Sequence, residues 1–278
     1  MELRRFGAGP GPGRRFRDRV AVEEPLEIRL GDAPLAVVMR TPGHDAELAR
    51  GLLLAEGVIR GEEDLFAVRP CTLAGPDGEP AGVVRVQVRA GCLPDPARLR
   101  RNLFASSSCG VCGKETLENL TERFAPLADE WGPRVTADLL RSLPARLEAA
   151  QPVFASTGGL HAAAIFDAGG RLRVVREDVG RHNAVDKVLG HSLAARELPL
   201  GGDLLLVSGR ISFEIVQKGL AAGVALVAGL SAPTSLAVGL AERFGMTLVG
   251  FLREGGFNVY GRPHRVRGRI GPASGAGS

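Results

Sequence analysis

Cys109 and Cys112 stand three positions apart in the run Ser106-Ser107-Ser108-Cys109-Gly110-Val111-Cys112-Gly113-Lys114. Two thiols at this spacing can bind a metal, cycle as a disulfide, or carry a sulfur atom and hand it over. Glycines and polar residues around them suit thiols that must be reached. Cys71 and Cys92 read as ordinary isolated cysteines.

A zinc site needs more ligands than one Cys-x-x-Cys pair, and no second pair is present. His161 could complete such a site. In nucleobase deaminases, however, a Glu lies two residues after the ligand His and a Pro-Cys-x-x-Cys follows. Here the residue two after His161 is Ala163, and the cysteine pair comes earlier without a proline. The general acid/base of deamination is missing, and no metal is expected. A thioredoxin-like motif follows the first strand of a small βαβ domain, whereas this one sits mid-chain among helical patterns. Sulfur carriage and a disulfide cycle both remain open at this point.

A second group of residues could hold an anion. Thr157-Gly158-Gly159, Ser208-Gly209-Arg210 and Ser231-Ala232-Pro233-Thr234 are short polar turns, the last two lying where a strand pattern passes into a helix pattern. Helix N-termini expose unpaired N–H groups and a positive dipole end, which attract phosphate. Ser and Thr also favour such positions simply as caps. The run Glu177-Asp178-Val179-Gly180-Arg181-His182-Asn183-Ala184-Val185-Asp186-Lys187 is dense in functional groups. Arg181 and His182 sit beside Gly180 at an expected helix start and read as ligand- or interface-facing.

The elements that must position these residues follow from periodicity. Leu26, Ile28 and Leu30 alternate with charges, Gly31-Asp32 marks a hairpin, and an apolar run covers 35–39. A helix is expected over 45–59, a strand over 84–88, and helices over 96–104, 114–124 and 136–149. Beyond Trp131-Gly132-Pro133 the chain alternates. Strands are expected over 162–166, 172–176, 203–207, 224–228 and 246–252, and helices over 183–195, 212–222 and 234–244. This order implies a mixed sheet with helices on its faces. The chain divides into a disordered basic tail (1–19), an α+β region with the Cys-x-x-Cys loop (20–133), an α/β core (134–266) and a disordered tail (267–278).

Composition narrows the function classes. With 45% hydrophobic and 24% charged residues, the 278-residue chain fits a soluble globular protein. No apolar run reaches the about 18 residues that cross a membrane, and four cysteines make no disulfide scaffold. A cytoplasmic protein without a membrane partner is expected. The net charge of +4 belongs to the ends. Residues 1–20 hold six arginines against Glu2 and Asp18, and 261–270 hold four, which leaves 25 cations against 29 acids over 21–260. No basic–aromatic stacking platform appears, so nucleic acid is not an expected partner.

The motifs, taken in order, resemble the FdhD/NarQ family, sulfur carriers required for formate dehydrogenase activity. The resemblance runs from about Val20 to Val266. It rests on Glu24-Pro25-Leu26, Thr41-Pro42 with Glu47-Leu48 and Glu56-Gly57, the run from Ser107 to Gly113, Thr157 to Ala162, Asp178 to Lys187, Ser208 to Arg210, Lys218, and Ser231 to Thr234. It implies a cytidine-deaminase-like three-layer α/β core without the deaminase zinc site. It also implies a sulfurtransferase reaction. An IscS-type cysteine desulfurase passes persulfide sulfur to Cys109, Cys112 assists, and the sulfur goes to the molybdenum bis(molybdopterin guanine dinucleotide) cofactor before that cofactor enters the formate dehydrogenase catalytic subunit. The cofactor is then a bound substrate, with no permanently bound metal, and the carrier is a homodimer. The family's cofactor-contacting segment maps onto Phe251, Leu252, Arg253, Glu254, Gly255 and Gly256, beside Ser208, Arg210, Arg181 and His182. A cofactor-binding chaperone and a thiol–disulfide oxidoreductase are the alternative functions.

Overall fold

A computed structural model describes residues 2–5, 14–74, 80–89, 120 and 123–268. Cys92, Cys109 and Cys112 lie outside the described residues, as do the helix expected over 96–104 and most of that expected over 114–124.

The first large sheet is built by β3 (Glu24–Leu30), β4 (Ala33–Arg40), β5 (Leu65–Ala74) and β6 (Pro80–Val88), in the order β4-β3-β6-β5. The Gly31-Asp32 turn closes its first hairpin, with Gly31 at a φ of 61° that a side chain would resist. Leu26 and Ile28 of β3 and Val84 and Val86 of β6 face inward, as the alternation requires. Helix α1 (Asp45–Ala55) covers them with Leu48, Leu52 and Leu53.

The second sheet has six strands in the order β13-β12-β11-β10-β8-β9. These are β8 (His161–Asp167), β9 (Leu172–Asp178), β10 (Asp203–Val207), β11 (Leu226–Gly229), β12 (Thr247–Arg253) and β13 (Gly256–Gly261). β10, β11 and β12 are parallel, while β8 runs against β10, β9 against β8, and β13 against β12. One face, with Ala162, Ala164, Phe166, Leu204 and Leu206, packs on Leu140, Leu143 and Leu147 of α2 (Ala137–Ala149). The other, with Ala163, Ile165, Leu205 and Val207, packs on α4 (Arg181–Ala194), α5 (Phe213–Ala221) and α6 (Ser235–Phe244). The result is three layers, helix on sheet on helix, as the alternating pattern implied. A short α3 (Pro152–Thr157) precedes β8, and β7 (Val135–Thr136) pairs in parallel with β14 (Val266–Arg267).

The two sheets share a core through α1 and α4. The helices approach so closely that a Cβ at Gly190 would lie 1.8 Å from the Glu47 carbonyl oxygen, and one at Gly51 would lie 1.9 Å from that of Asp186. The same hydrophobic cluster runs from Leu26 through Leu48 and Val188 to Leu248. Each fully buried Leu or Ile side chain adds about 1.5–3 kcal/mol.

Besides the unexpected strand β5, two findings depart from the sequence reading. Residues 1–19, expected as a disordered tail, contain β1 (Glu2–Arg5) and β2 (Arg14–Arg17), an antiparallel pair with Leu3 opposite Phe16. The Gly-Pro run from 7 to 13 dominates the composition and hides these strands. The strand expected over 246–252 is β12, but the cofactor-contacting segment Phe251–Gly256 continues into an unexpected partner strand, β12 ending at Arg253 and β13 beginning at Gly256.

Candidate functional site

The strand directions gather the described candidate residues on one edge of the six-stranded sheet. The carboxyl ends of β9, β10, β11 and β12 and the amino end of the antiparallel β8 all open there. In α/β sheets this edge is where ligands bind. Asp178, Arg181 and His182 come from the end of β9 and the start of α4. His161 opens β8, Ser208 follows β10, and Phe251 lies near the end of β12.

Backbone hydrogen bonds stitch the polar turns together. Ser208 N donates to Ala162 O at 2.9 Å, and Ile211 N to Ala232 O at 3.1 Å. Thr234 N donates to Ile211 O at 3.0 Å, and Phe251 N to Ser231 O at 3.1 Å. The turns at 208–211, 231–234 and 251–253 therefore stand side by side.

The middle of the edge carries the polar cluster. Ser208 Oγ accepts from Ala162 N at 2.9 Å and lies 3.4 Å from His161 Nδ1. Ser212, the cap residue of α5, puts its Oγ 3.3 Å from His182 Nε2, which lies 3.9 Å from Glu214 Oε2. Serine and carboxylate thus address the same imidazole nitrogen. A hydrolytic triad needs the acid on the other nitrogen, so this is not one. Burial lowers the pKa of His182 to about 4, with Lys218 and Arg181 adding to the effect. Burial and Arg181 also lower that of His161. Both imidazoles are neutral at pH 7. Burial alone would raise the Glu214 pKa. Hydrogen bonds from Ser212 and from its own amide, with the nearby His182 and Arg181, bring it below the usual value.

Beneath this layer lie two buried ion pairs. Lys187 Nζ sits 2.6 Å from Asp178 Oδ2, and Lys218 Nζ sits 2.6 Å from Asp186 Oδ1. The dense run 177–187 therefore divides by direction. Asp178, Asp186 and Lys187 turn inward and hold the fold, while Arg181 and His182 stay at the edge. Thr41, Asn183 and Lys187 also bridge the two sheets, since Thr41 N donates to Asp178 Oδ2, Lys187 Nζ to Thr41 O, and Asn183 Nδ2 to Met39 O.

At the far end of the edge, Phe251 takes a φ of 56°, unusual for a bulky residue, and is 48% exposed. The strand pairing shifts between Gly250 and Arg253 at this point. Arg253, which the resemblance places in the cofactor-contacting segment, donates Nη1 to the carbonyls of Leu230 and Leu252, so it braces the hairpin. Leu252 is buried, whereas Arg210, Glu254 and Gly255 are exposed and Gly256 half-buried. Among the described residues no three His, Cys, Asp or Glu side chains stand together to hold a metal, and no helix is long and apolar enough to cross a membrane.

From sequence, His161 was weighed only as a zinc ligand, and Ser212 and Glu214 were not singled out. His161 carried a signal as the polar residue after Thr157-Gly158-Gly159. Ser212 and Glu214 carried none, because only the β10-to-α5 turn brings them to His182.

The FdhD/NarQ family model matches residues 21–267. The chain belongs to the FdhD/NarQ family. A relative in Mycolicibacterium paratuberculosis, named sulfur carrier protein FdhD, is 52% identical over 252 residues, covering 90% of this chain and 92% of that protein. A Streptomyces coelicolor protein of the same name is 51% identical, with 90% and 89% covered. A crystal structure of a Desulfotalea psychrophila protein assigned as a formate dehydrogenase accessory protein superposes with a TM-score of 0.72 at 28% identity, covering 96% of this chain and 99% of that one. The FdhD/NarQ match begins at residue 21, after the β1–β2 hairpin, and ends with β14.

Proposed function

We propose that this protein is a cytoplasmic sulfur carrier that accepts persulfide sulfur from a cysteine desulfurase and passes it to the molybdenum bis(molybdopterin guanine dinucleotide) cofactor of a formate dehydrogenase. Membership of the FdhD/NarQ family supports carriage of sulfur. The observation that supports binding of a nucleotide-bearing substrate is the sheet edge itself. Strand-end turns, the N-terminus of α4 and the residues Arg181, His182, Ser208 and Arg210 lie along it.

In the first half-reaction the Cys109 thiolate attacks the outer sulfur of the desulfurase persulfide. A new S–S bond forms on Cys109, and the old one breaks with the desulfurase cysteine leaving as thiolate. Cys112 assists the onward transfer. The sheet edge holds the pterin nucleotide during delivery, with the exposed Phe251 and the Glu254-Gly255 turn along one side. The core is a cytidine-deaminase-like one that has given up its zinc, with Ala163 where the deaminase Glu would stand. A homodimer is the working assembly.

Restoring formate dehydrogenase activity in cells lacking their own carrier tests this reading. The wild-type chain should restore it, Cys71→Ser should match it, and Cys109→Ser should not. If Cys109→Ser restores full activity while still binding the cofactor, the protein is a cofactor-binding chaperone. A wild-type chain that fails to restore activity but oxidises dithiols through Cys109 and Cys112 is an oxidoreductase.

A further inference from the structure

Strands β1 and β2 pair with each other and, among the described residues, with no further strand. Their register sets Arg4 opposite Arg15 and Arg5 opposite Arg14, with Glu2 opposite Arg17. Like charges directly opposite one another destabilise an antiparallel pair. A two-stranded hairpin is in any case marginal in water and gains independent stability from a third strand. The eight residues of β1 and β2 include five arginines and one acid. The ribbon therefore lacks two things at once, a counter-charge and a further strand.

One kind of occupant supplies both. A free strand edge is a template for another strand, and an extended segment that adds there contributes main-chain hydrogen bonds. Neighbouring residues of a strand lie on opposite faces. The Arg4–Arg15 pair thus occupies one face of the ribbon and the Arg5–Arg14 pair the other. An added strand meets both pairs when it carries two consecutive acids. Residues 1–20 contain no lysine, and arginine is the cation whose planar fork matches a carboxylate through two parallel hydrogen bonds.

The rest of the chain decides the size of the anion. Residues 21–260 hold 25 cations against 29 acids. Nucleic acid or an anionic membrane would lie against this acidic body as well as the ribbon, and like charge repels it there. A short acidic segment meets the ribbon alone. The ribbon also precedes the FdhD/NarQ match, which starts at residue 21, so its partner is separate from the ligand of the sheet edge.

We propose that the β1–β2 ribbon docks an extended acidic segment of a partner protein. The segment adds as a third strand and sets consecutive Asp or Glu residues beside the Arg4–Arg15 and Arg5–Arg14 pairs.

Fluorescence anisotropy of the full chain with a labelled peptide, Thr-Val-Thr-Glu-Glu-Thr-Val-Thr, tests this. The peptide should bind, and more weakly as salt rises. The chain carrying Arg4→Gln, Arg5→Gln, Arg14→Gln and Arg15→Gln together should bind it at least about tenfold more weakly, the sum expected of several exposed ion pairs. The same peptide N-methylated at every second amide keeps its charge and loses the donors of one edge, so it should bind at least about tenfold more weakly as well. Equal binding of the methylated peptide overturns strand addition. No binding of the parent peptide, or binding that the four substitutions leave unchanged, overturns the docking surface. Duplex DNA or phosphatidylglycerol vesicles that bind the wild type more tightly than the peptide, and lose binding in the substituted chain, overturn the acidic protein segment as partner. Sedimentation that shows a wild-type dimer becoming a monomer on substitution, without peptide binding, gives the ribbon to a second copy of the chain and overturns the proposal.

Discussion

Lys187 Nζ lies 2.6 Å from Asp178 Oδ2 with 1% and 0% of the two side chains exposed. The same carboxylate accepts from Thr41 N, Gly180 N and Asn183 Nδ2. A charge this far from water survives only when every lone pair and proton is engaged. The pair thus fixes where β9 ends, where α4 begins and where the Thr41 turn docks, and these three set the positions of Arg181 and His182.

Lys187→Met should therefore cost about 3–5 kcal/mol, because it strands the Asp178 carboxylate. Adding Asp178→Asn should recover part of that loss. Thermal melting reads both, with an expected drop of more than about 5 °C in Tm for the single change. A single variant that melts with the wild type would show that the pair holds nothing together.

The α1–α4 contact should be as sensitive. A methyl group at Gly190 would sit 1.8 Å from the Glu47 carbonyl oxygen, a backbone atom that no rotamer change can move aside. Gly190→Ala should cost at least about 1–3 kcal/mol through overpacking. Gly239→Ala on the exposed side of α6, where nothing lies within 4 Å, should be neutral or stabilising. Urea unfolding midpoints of the two variants compare them directly.

His182 makes stability depend on pH in a defined window. Its pKa is about 4 in the folded chain against 6.5 for the unperturbed group. Between those values the unfolded chain binds the extra proton, so stability rises with pH. Its contribution is fully present above pH 6.5 and is lost as pH falls toward 4. Urea midpoints measured from pH 7 to 4.5 should fall less steeply for His182→Gln than for the wild type. Parallel curves would place the acid sensitivity elsewhere.

Much of this architecture was legible in the residues. Alternation at Leu26 and Ile28 and the apolar run 203–207 gave strands at those places, and Gly31-Asp32 gave the turn. β5 was missed because Phe66, Arg69 and Pro70 break its pattern, a break that an edge strand tolerates. β13 was missed because Asn258 and glycines at 256 and 261 dilute it, and it forms only against β12. The site was half legible. The density of residues 177–187 marked the place, but composition could not say that Asp178, Asp186 and Lys187 turn inward. That sorting depends on Thr41 and Lys218, 137 residues before Asp178 and 32 after Asp186. The resemblance puts Arg253 in the cofactor-contacting segment, and only the fold shows the Leu230 carbonyl beside it.

The proposed function rests on Cys109 carrying the sulfur. Intact-mass and peptide analysis of the full chain, after incubation with a cysteine desulfurase and cysteine, measures it directly. The expected result is one added sulfur, about 32 Da, on the peptide holding Cys109 and reversible by dithiothreitol. Cys71→Ser should carry the same adduct, and Cys109→Ser should carry none. An adduct that persists in Cys109→Ser, or a wild-type chain that stays unmodified while the desulfurase is active, would show that Cys109 does not carry the sulfur.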